Sequence, residues 1–273
     1  MVPGRVAARY ALILDAVSMR SAGLPLSRIA QATCLAKPTV HRLVRALVAI
    51  GYLTPGSGRS SYRIGPRLLR VLHRSIDAQS IAHVVQPALE ALADRFGETA
   101  YVTKLVGVEA RPIAVVVPKG LTQSIIQPTR VMPAHAAASA KAIVAFQEAD
   151  VIRKILEEPL IQYTPNTLTT VSAVEEHLAR VRARGYAECI NEIDQGVMAI
   201  AVPIHLDAVG VLHSVAICGL LPRMKRHARR AVVDALCGAA QNIAGALQGT
   251  VAGANSAGHP DAEVDIRFAE GEV

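Results

Sequence analysis

The chain has 273 residues and is 51% hydrophobic, which is enough for two ordinary domains with sizeable cores. Its formal net charge is +7. No apolar run reaches the roughly 20 residues that a membrane-spanning helix needs, and the N-terminus lacks the apolar core of a signal peptide. We therefore expect a cytoplasmic protein with no membrane partner.

The four cysteines form no recognisable framework. Cys34, Cys189, Cys218 and Cys237 are far apart in the chain and include no C-x-x-C pair. Such spacing favours reduced thiols in a cytoplasm over a disulfide framework or a zinc site. We expect neither a metal nor a cofactor.

The positive charge is concentrated in the N-terminal part of the chain. Residues 1–75 contain 12 Lys or Arg and a single acid, Asp15, which gives +11. Residues 76–273 contain 17 basic and 21 acidic residues, which gives −4. A basic segment is often only a solvated surface, but this imbalance favours a polyanionic partner.

Three short helices are predicted at the N-terminus. Apolar residues at helical spacing indicate the first over 6–19. The second runs from Leu26 to Ala32, with Ser27 as its N-terminal cap or as a residue of its first turn. A turn over 33–36 follows.

The third helix is predicted to start near Pro38, because the first turn of a helix does not need the N–H that proline lacks. Gly51 ends it. Its buried stripe consists of five apolar residues, Val40, Leu43, Val44, Leu47 and Val48.

Two short strands, Tyr52–Thr54 and Tyr62–Ile64, flank the turn-forming segment 55–60. Three helices followed by such a hairpin are typical of a winged helix-turn-helix domain, which we place at residues 1–65. Residues 66–79 are expected to form a linker helix.

Residues 80–248 mix helices with strands. Helices are predicted over 81–96, 134–146, 171–184 and 225–247, and strands over 100–106, 112–117, 198–206 and 209–218. Pro87 predicts a break in the first of these helices, or a start one turn later. The order favours an α+β fold, an antiparallel sheet with flanking helices. Residues 249–273, rich in Gly, Ala and acids, are predicted to be a disordered tail.

Three groups of motifs carry a resemblance to a known family. They are Pro38-Thr39-Val40-His41-Arg42-Leu43 with Gly51-Tyr52-Leu53 and Tyr62-Arg63-Ile64-Gly65; Met132-Pro133-Ala134-His135-Ala136 with Ser139-Ala140-Lys141-Ala142; and Arg184-Gly185-Tyr186-Ala187 with Gly196-Val197 and Ala201-Val202-Pro203-Ile204. In their order and spacing, the chain resembles the IclR family of bacterial transcriptional regulators from about Arg9 to Leu247. The resemblance implies a winged-helix DNA-binding domain, a GAF-like effector-binding domain, and dimers or dimers of dimers on double-stranded operator DNA.

The third helix is predicted to enter the major groove of DNA with its N-terminal end. Arginine can form two hydrogen bonds with guanine, and threonine can contact the methyl group of thymine. The groove contacts are assigned to Lys37, Thr39, Arg42 and Arg45, and His41 either reaches bases or phosphates or covers a domain boundary. The alternative for Arg42 is an ion pair within the protein.

Phosphate contacts are predicted from two further places. Ser27 and Arg28 at the start of the second helix form one group, and Arg59, Ser60 and Arg63 in the wing form the other. Arg59 has the alternative of entering the minor groove.

The effector pocket departs from the family pattern. Members that sense small carboxylates use backbone amides together with an acid, a cysteine and two hydroxyls from the sheet, and the matching positions here are Cys189, Ala199, Ala216 and Cys218. Other matching wall positions are Leu121, Ser124, Met132, Ala138 and Ser139. A buried carboxylate needs hydrogen bonds or charge partners, and this lining offers few. We predict an apolar, fairly roomy pocket for an apolar, aromatic-type or large effector. The alternative is a collapsed pocket in a ligand-independent DNA-binding repressor.

An enzyme is the other class to weigh. Cys189 or Cys218 with a histidine would form a nucleophile pair, and His205 with His213 near Cys218 would form a metal site. Neither has a local signature, and the odd separation of His213 and Cys218 places them on opposite faces of a regular strand. His135 is read as a structural hydrogen-bonding residue. We therefore predict a regulator without catalytic residues, as a homodimer or tetramer.

Overall fold

The computed structural model describes residues 4–20, 22–56, 58, 60–75, 78–118, 126–128, 131–157, 159–207 and 209–256, and every statement below concerns these residues.

The N-terminal domain has the predicted order of helices and strands. Its elements are α1 (Gly4–Ser18), β1 (Leu24–Pro25), α2 (Leu26–Thr33), α3 (Lys37–Ala49), β2 (Leu53–Pro55) and β3 (Ser61–Ile64). The strands form an antiparallel sheet in the order β1-β3-β2. The short strand β1 was not predicted, because two residues are too few to show an alternating pattern.

One apolar core holds the three N-terminal helices together. Each helix turns a single stripe inward, and the fully buried members include Ile13, Ile29, Val40 and Val44. The exposed residues of α2 and α3 are small or polar, among them Ser27, Arg28, His41 and Arg42, so the outer faces of these two helices remain free for contacts with other molecules. Gly51, at φ +75°, follows α3 in the left-handed region that glycine adopts without strain.

Two helices connect the N-terminal domain with the sheet that follows. They are α4 (Pro66–Ser75) and α5 (Ala78–Phe96). The predicted break at Pro87 is wrong, because α5 runs through it. A proline leaves the carbonyl four residues earlier without a partner, but Pro87 and His83 are both exposed, so water can satisfy that carbonyl.

The C-terminal domain is an α+β structure around a five-stranded antiparallel sheet. Its remaining elements are β4 (Thr99–Val106), β5 (Glu109–Val116), α6 (Ala138–Val144), α7 (Ala149–Ile155), α8 (Val171–Arg184), β6 (Ala187–Ile190), β7 (Val197–Leu206), β8 (Gly210–Leu220), α9 (Leu221–Met224) and α10 (Arg229–Ser256). The strand order is β5-β4-β8-β7-β6. β7 and β8 are almost entirely buried, since helices cover both faces of the sheet.

Several boundaries differ from the sequence-based predictions. The helix predicted over 134–146 spans only Ala138–Val144, and neither α7 nor β6 was predicted. At the C-terminus, α10 runs through residues 249–256, which the sequence analysis assigned to a disordered tail. The rest of that predicted tail, residues 257–273, lies outside the described residues. Residues 249–256 contain two Gly and two Ala and show no helical pattern of their own, but they extend the helix that begins at Arg229, and adding residues to an existing helix is easier than starting one.

A buried ion pair ties the start of β4 to α9. Glu98 accepts hydrogen bonds from the Nε and Nη2 atoms of Arg223 at 2.8 and 2.5 Å. The Glu98 carboxylate lies against the backbone of Gly219 in β8, and a Cβ atom at that position would overlap it. Glycine at 219 is therefore required for the pair to form.

We predict that Gly219→Ala destabilises the protein by about 2–4 kcal/mol, because the new methyl group displaces the buried carboxylate of Glu98 from the guanidinium of Arg223. Urea unfolding would measure the change. The matched control is Gly238→Ala in α10, where the new Cβ meets nothing within 4 Å. That substitution should be neutral or stabilise by up to about 1 kcal/mol, and equal losses in both variants would contradict the prediction.

Candidate functional site

The outer face of α3 is basic and hydroxylated. Lys37, His41, Arg42 and Arg45 are exposed, and Thr39 is half-buried, whereas Val40, Leu43, Val44 and Leu47 face the core. The predicted groove residues therefore share one surface. The N-cap residue of α3, Ala36, offers no side chain to the first-turn amides, which leaves this helix end polar and positive.

The predicted phosphate contacts lie on exposed positions of α2 and the wing. Ser27 is in the first turn of α2, whose N-cap residue is Pro25, so of the two predicted roles the cap is not realised. Arg28 is exposed and donates to the Oε1 atom of Gln31 at 3.0 Å. Ser60 and Arg63 are exposed in the wing, and Arg59 lies outside the described residues.

The electrostatics of this surface favour an external anion. Within the described part of the chain, no carboxylate lies within 4.0 Å of Arg42, which weighs against the alternative of an internal ion pair. Neither α2 nor α3 has an acid in its first turn. The positive charge of this face is thus uncompensated by its own helices. The specific contacts of these ten residues with DNA stay a prediction.

A second candidate site is a small cavity between the sheet and α6. Its volume is about 40 Å³. It is lined by Tyr101, Ile126, Gln127, Pro128, Met132, Ala137, Ala138, Cys189, Ile193, Asp194, Val197, Ala199 and Cys218. Five of the predicted effector residues are among them, namely Met132, Ala138, Cys189, Ala199 and Cys218.

Two predicted wall residues do not reach the cavity. Ala216 is fully buried opposite Tyr101 in the β4–β8 ladder, where the larger ring takes the space beside it. Ser139 is fully buried in α6, and its carbonyl accepts a hydrogen bond from the hydroxyl of Ser214 at 2.8 Å. The remaining two, Leu121 and Ser124, lie outside the described residues.

The described lining of the cavity is mostly apolar, with Gln127 and Asp194 among its polar members, and the cavity is not roomy. An apolar cavity of about 150 Å³ is the size that holds benzene, so about 40 Å³ leaves space for roughly one water molecule. The side chains of Tyr101 and Met132 fill the space left by the small residues of the sheet, and the sequence did not predict that these two side chains share one cavity.

Tyr101 is the main wall residue that the sequence analysis missed. Its ring is fully buried, and burial together with the nearby thiol of Cys218 raises the pKa of its hydroxyl well above the usual value. It therefore stays neutral and offers one polar group to the cavity. Alternation along β4 could have shown which of its side chains share a face with Tyr101. Placing Tyr101 beside this cavity also requires the register of β4 on β8, in which Thr99 pairs with Cys218 and Tyr101 with Ala216, and sequence alone does not supply that register.

The two thiols of the cavity lie on one row across the sheet, Cys189↔Ala199↔Cys218. Burial and the nearby Glu98 raise the pKa of Cys218 to about 12, and burial raises that of Cys189. The thiol of Cys218 donates to the carbonyl of Ile126 at 3.5 Å. Protonated, buried thiols are poor nucleophiles, so the pair behaves as apolar wall.

A buried ion pair lies behind Cys189. Lys141 in α6 is fully buried, and its Nζ atom donates to both carboxylate oxygens of Glu192 at 2.8 and 2.7 Å. Burial lowers the pKa of Lys141 and raises that of Glu192, and each opposes this shift in the other. The cation is thereby occupied by an internal partner.

The histidines considered for catalysis lie apart from the thiols. His213 is fully buried on the α5 and α10 side of the sheet, the face opposite Cys218, as the odd separation predicted. His205 packs edge-to-face on Phe146. His135 stacks on Tyr163 and its Nε2 lies 2.9 Å from the carbonyl of Ile161, which fits the structural role assigned to it.

Comparison with known proteins shows that both domains match models of one family. Residues 73–245 match the family described as "Bacterial transcriptional regulator IclR C-terminal", and residues 6–56 match the "IclR helix-turn-helix domain". Together these matches cover most of the chain. The chain belongs to the IclR family of bacterial transcriptional regulators, as its motifs indicated.

The chain is similar to individual relatives and to solved structures over most of its length. It is 29% identical to the DNA-binding transcriptional repressor YiaJ of Escherichia coli K12 over 89% of this chain and 88% of that one. It is 30% identical to the HTH-type transcriptional regulator BhcR of Paracoccus denitrificans over 85% of this chain and 83% of that one. An IclR homolog from Microbacterium hydrocarbonoxydans, complexed with 4-hydroxybenzoate, is 25% identical with a TM-score of 0.57, covering 89% of this chain and 99% of that one.

The protein is therefore a DNA-binding transcriptional regulator. In the described part of the chain, no helix is both long and apolar enough to cross a membrane.

Acid should weaken the fold through His213. Burial, and then Lys104 and His73, lower its pKa from 6.5 to about 3. The unfolded chain takes up a proton near pH 6.5 and the folded one does not, so stability is lost as the pH falls below 6.5. From pH 6.5 to 5 we expect a loss of about 2 kcal/mol from this group, with a further share from His177, whose pKa is lowered to about 4.

Urea unfolding of His213→Leu at both pH values checks this prediction. The variant should lose most of the His213 share of the pH dependence, because leucine takes up no proton, and its cooperative urea transition would show that it remains folded. His205→Leu, at an exposed ring, is the control and should keep the pH dependence. An unchanged slope in His213→Leu would contradict the assignment.

Proposed function

We propose that the protein is an effector-responsive regulator that reads operator DNA with α3 and senses a neutral apolar or aromatic molecule in the cavity beside Tyr101. The observation that carries the first half is the exposed basic face of α3, which its own helices leave uncompensated. The observation that carries the second half is the apolar, cation-free lining of the cavity among the described residues.

On DNA, the N-terminal end of α3 would lie in the major groove. Lys37, Arg42 and Arg45 recur along one exposed side of the helix, a spacing that lets them reach successive bases. Ser27, Arg28, Ser60 and Arg63 would contact the phosphates on either side. Dimers or tetramers would place two copies of α3 about 34 Å apart, one turn of DNA.

The charges around the cavity argue against an anionic effector. The charged residue in its described lining is Asp194, an acid, and the nearest buried cation, Lys141, is held by Glu192. A carboxylate would enter without a charge partner, which is costly in an apolar site. The hydroxyl of Tyr101 can instead exchange a hydrogen bond with a neutral polar group. The Microbacterium relative binds 4-hydroxybenzoate, an aromatic carboxylate. Its ring supports an aromatic ligand, whereas its carboxylate would find no cation in the described lining of the cavity here.

A second candidate function is a ligand-independent DNA-binding repressor. The small volume of the cavity, about 40 Å³, favours it, because an aromatic ring does not fit without movement of a wall. The two candidates differ in whether any small molecule changes the affinity for the operator.

Arg42→Ala should reduce sequence discrimination. A bidentate contact with a base contributes about 1–3 kcal/mol of discrimination, so the variant should bind its operator about tenfold more weakly and random DNA almost unchanged. Gel shifts with an operator found by footprinting the promoter regions near the gene would measure both. Arg63→Ala is the comparison and should weaken binding to both DNAs while lowering the salt dependence. Unchanged operator binding by Arg42→Ala would show that α3 is not placed as proposed.

Calorimetric titration tests the class of effector. Phenol should bind, whereas glyoxylate and pyruvate should not, because only the carboxylates need a charge partner that the described lining lacks. Phenol should also shift the operator affinity in the gel-shift assay. Tight binding of glyoxylate or pyruvate would refute the neutral class, and operator affinity that responds to none of the three would favour the ligand-independent repressor.

A further inference from the structure

A second cavity lies next to the first on its outer side. Its volume is about 250 Å³, above the roughly 150 Å³ that holds benzene. Its wall combines apolar side chains, among them Val108, Val131, Ile161 and Tyr163, with the charged side chains of Glu109 and Lys154. We call it the outer cavity, and the cavity of about 40 Å³ beside Tyr101 the inner cavity.

The outer cavity is marked by exposed apolar side chains. Val108, Val131, Ile161 and Tyr163 are each 42–59% exposed, although they surround a single depression. Exposed apolar groups gathered around a hollow are typical of ligand-binding grooves. The ring of Tyr163 stacks on His135 at 5.8 Å, which supplies a flat wall of the kind that aromatic molecules pack against.

Met132 separates the two cavities. Among the described residues, it is the single one that lines both. Its backbone is fixed, because its N–H donates to the carbonyl of Ala110 at 2.8 Å. Its side chain is unbranched with three rotatable bonds, and methionine adapts to new shapes more readily than other apolar residues.

The inference drawn from these two cavities rests on the proposed function and extends it. The inner cavity has the polar group of Tyr101 but lacks the volume for a ring, and the outer cavity has the volume but is open to water. We propose that neutral aromatic molecules reach the inner cavity through the outer one, and that the side chain of Met132 is the partition that moves aside. The bound ring then occupies the inner cavity together with the space that Met132 vacates.

The other wall of the inner cavity that faces outward is formed by Ile126, Gln127 and Pro128. The thiol of Cys218 donates to the carbonyl of Ile126, which holds this wall in place. Gln127 in this wall is exposed, and the variants below distinguish the passage by Met132 from entry at this wall.

A route and a binding contact have different kinetic signatures. An obstacle on the route slows association and dissociation by the same factor and leaves the dissociation constant unchanged, whereas a lost contact changes that constant. The neighbouring residues Val108 and Val106 offer a matched pair of sites, since they are 47% and 49% exposed and only Val108 lines the outer cavity.

The experiment is ¹⁹F exchange NMR with 4-fluorophenol on the full chain. Val108→Trp should lower both rate constants by the same factor, at least about fivefold, with the dissociation constant within about twofold of wild type. Val106→Trp should leave both rates unchanged. Proportional slowing in Val108→Trp alone supports the route, and rates insensitive to Val108→Trp overturn it.

A second pair of variants examines the partition itself. Met132→Ala removes the partition in advance, so 4-fluorophenol should bind at least about fivefold more tightly and associate faster. Met224→Ala, a buried methionine on the other face of the sheet, is the control for lost packing and should leave both values unchanged. Weaker binding by Met132→Ala would overturn the partition.

The outcomes for the route and for the proposed function are distinguishable. If wild type binds 4-fluorophenol and Val108→Trp has no kinetic effect, the route by Met132 is wrong and the effector class stands. If wild type does not bind 4-fluorophenol at all, both the aromatic effector and its route are overturned.

Discussion

The C-terminal domain depends on two central strands, β7 and β8, that are buried on both faces. Because successive side chains of a strand point to opposite faces, each strand divides its residues between two cores. Ile200 and Val215 pack with α5 and α10, whereas Ala199 and Cys218 pack on the α6 side. One sheet therefore has large residues that stabilise it on one face and small residues that leave a cavity on the other.

The inner cavity is rigid on the side of the loop between β6 and β7. Lys141 binds Glu192 from α6, and the hydroxyls of Thr164 and Thr167 donate to the carbonyls of Asn191 and Glu192 at 2.5 and 2.6 Å. A buried ion pair adds little net stability compared with apolar packing, but removing one partner is costly, so such a pair fixes geometry. The proposed movement that admits a ligand must then occur elsewhere, and Met132 is a wall residue outside this loop.

The sequence predicted the features that short-range patterns determine. The winged helix order, the exposed basic face of α3 and helix Val171–Arg184 follow from periodicity, caps and charge. The volume of the cavity was not predictable, because it depends on Tyr101 reaching over Ala216 through a strand register. The ion pair of Lys141 with Glu192 joins residues 51 positions apart, and no local pattern marks such a pair. The resemblance to the family indicated five residues of the cavity wall, missed Tyr101, and carried no information on the space between the wall residues.

The first turn of the linker helix α4 connects it to the helix α3 of the N-terminal domain. Arg67 in α4 donates to the carbonyl of Ile50, the C-cap residue of α3, at 3.3 Å, and its guanidinium lies over the ring of Tyr52. Gly65 also approaches the backbone of Gly51 so closely that a Cβ atom would not fit. The first turn of α4 is thus attached directly to the end of α3. A rotation of α4 would therefore move α3 and the wing together, because the close backbone contact between Gly65 and Gly51 leaves no space for α4 to move independently of α3.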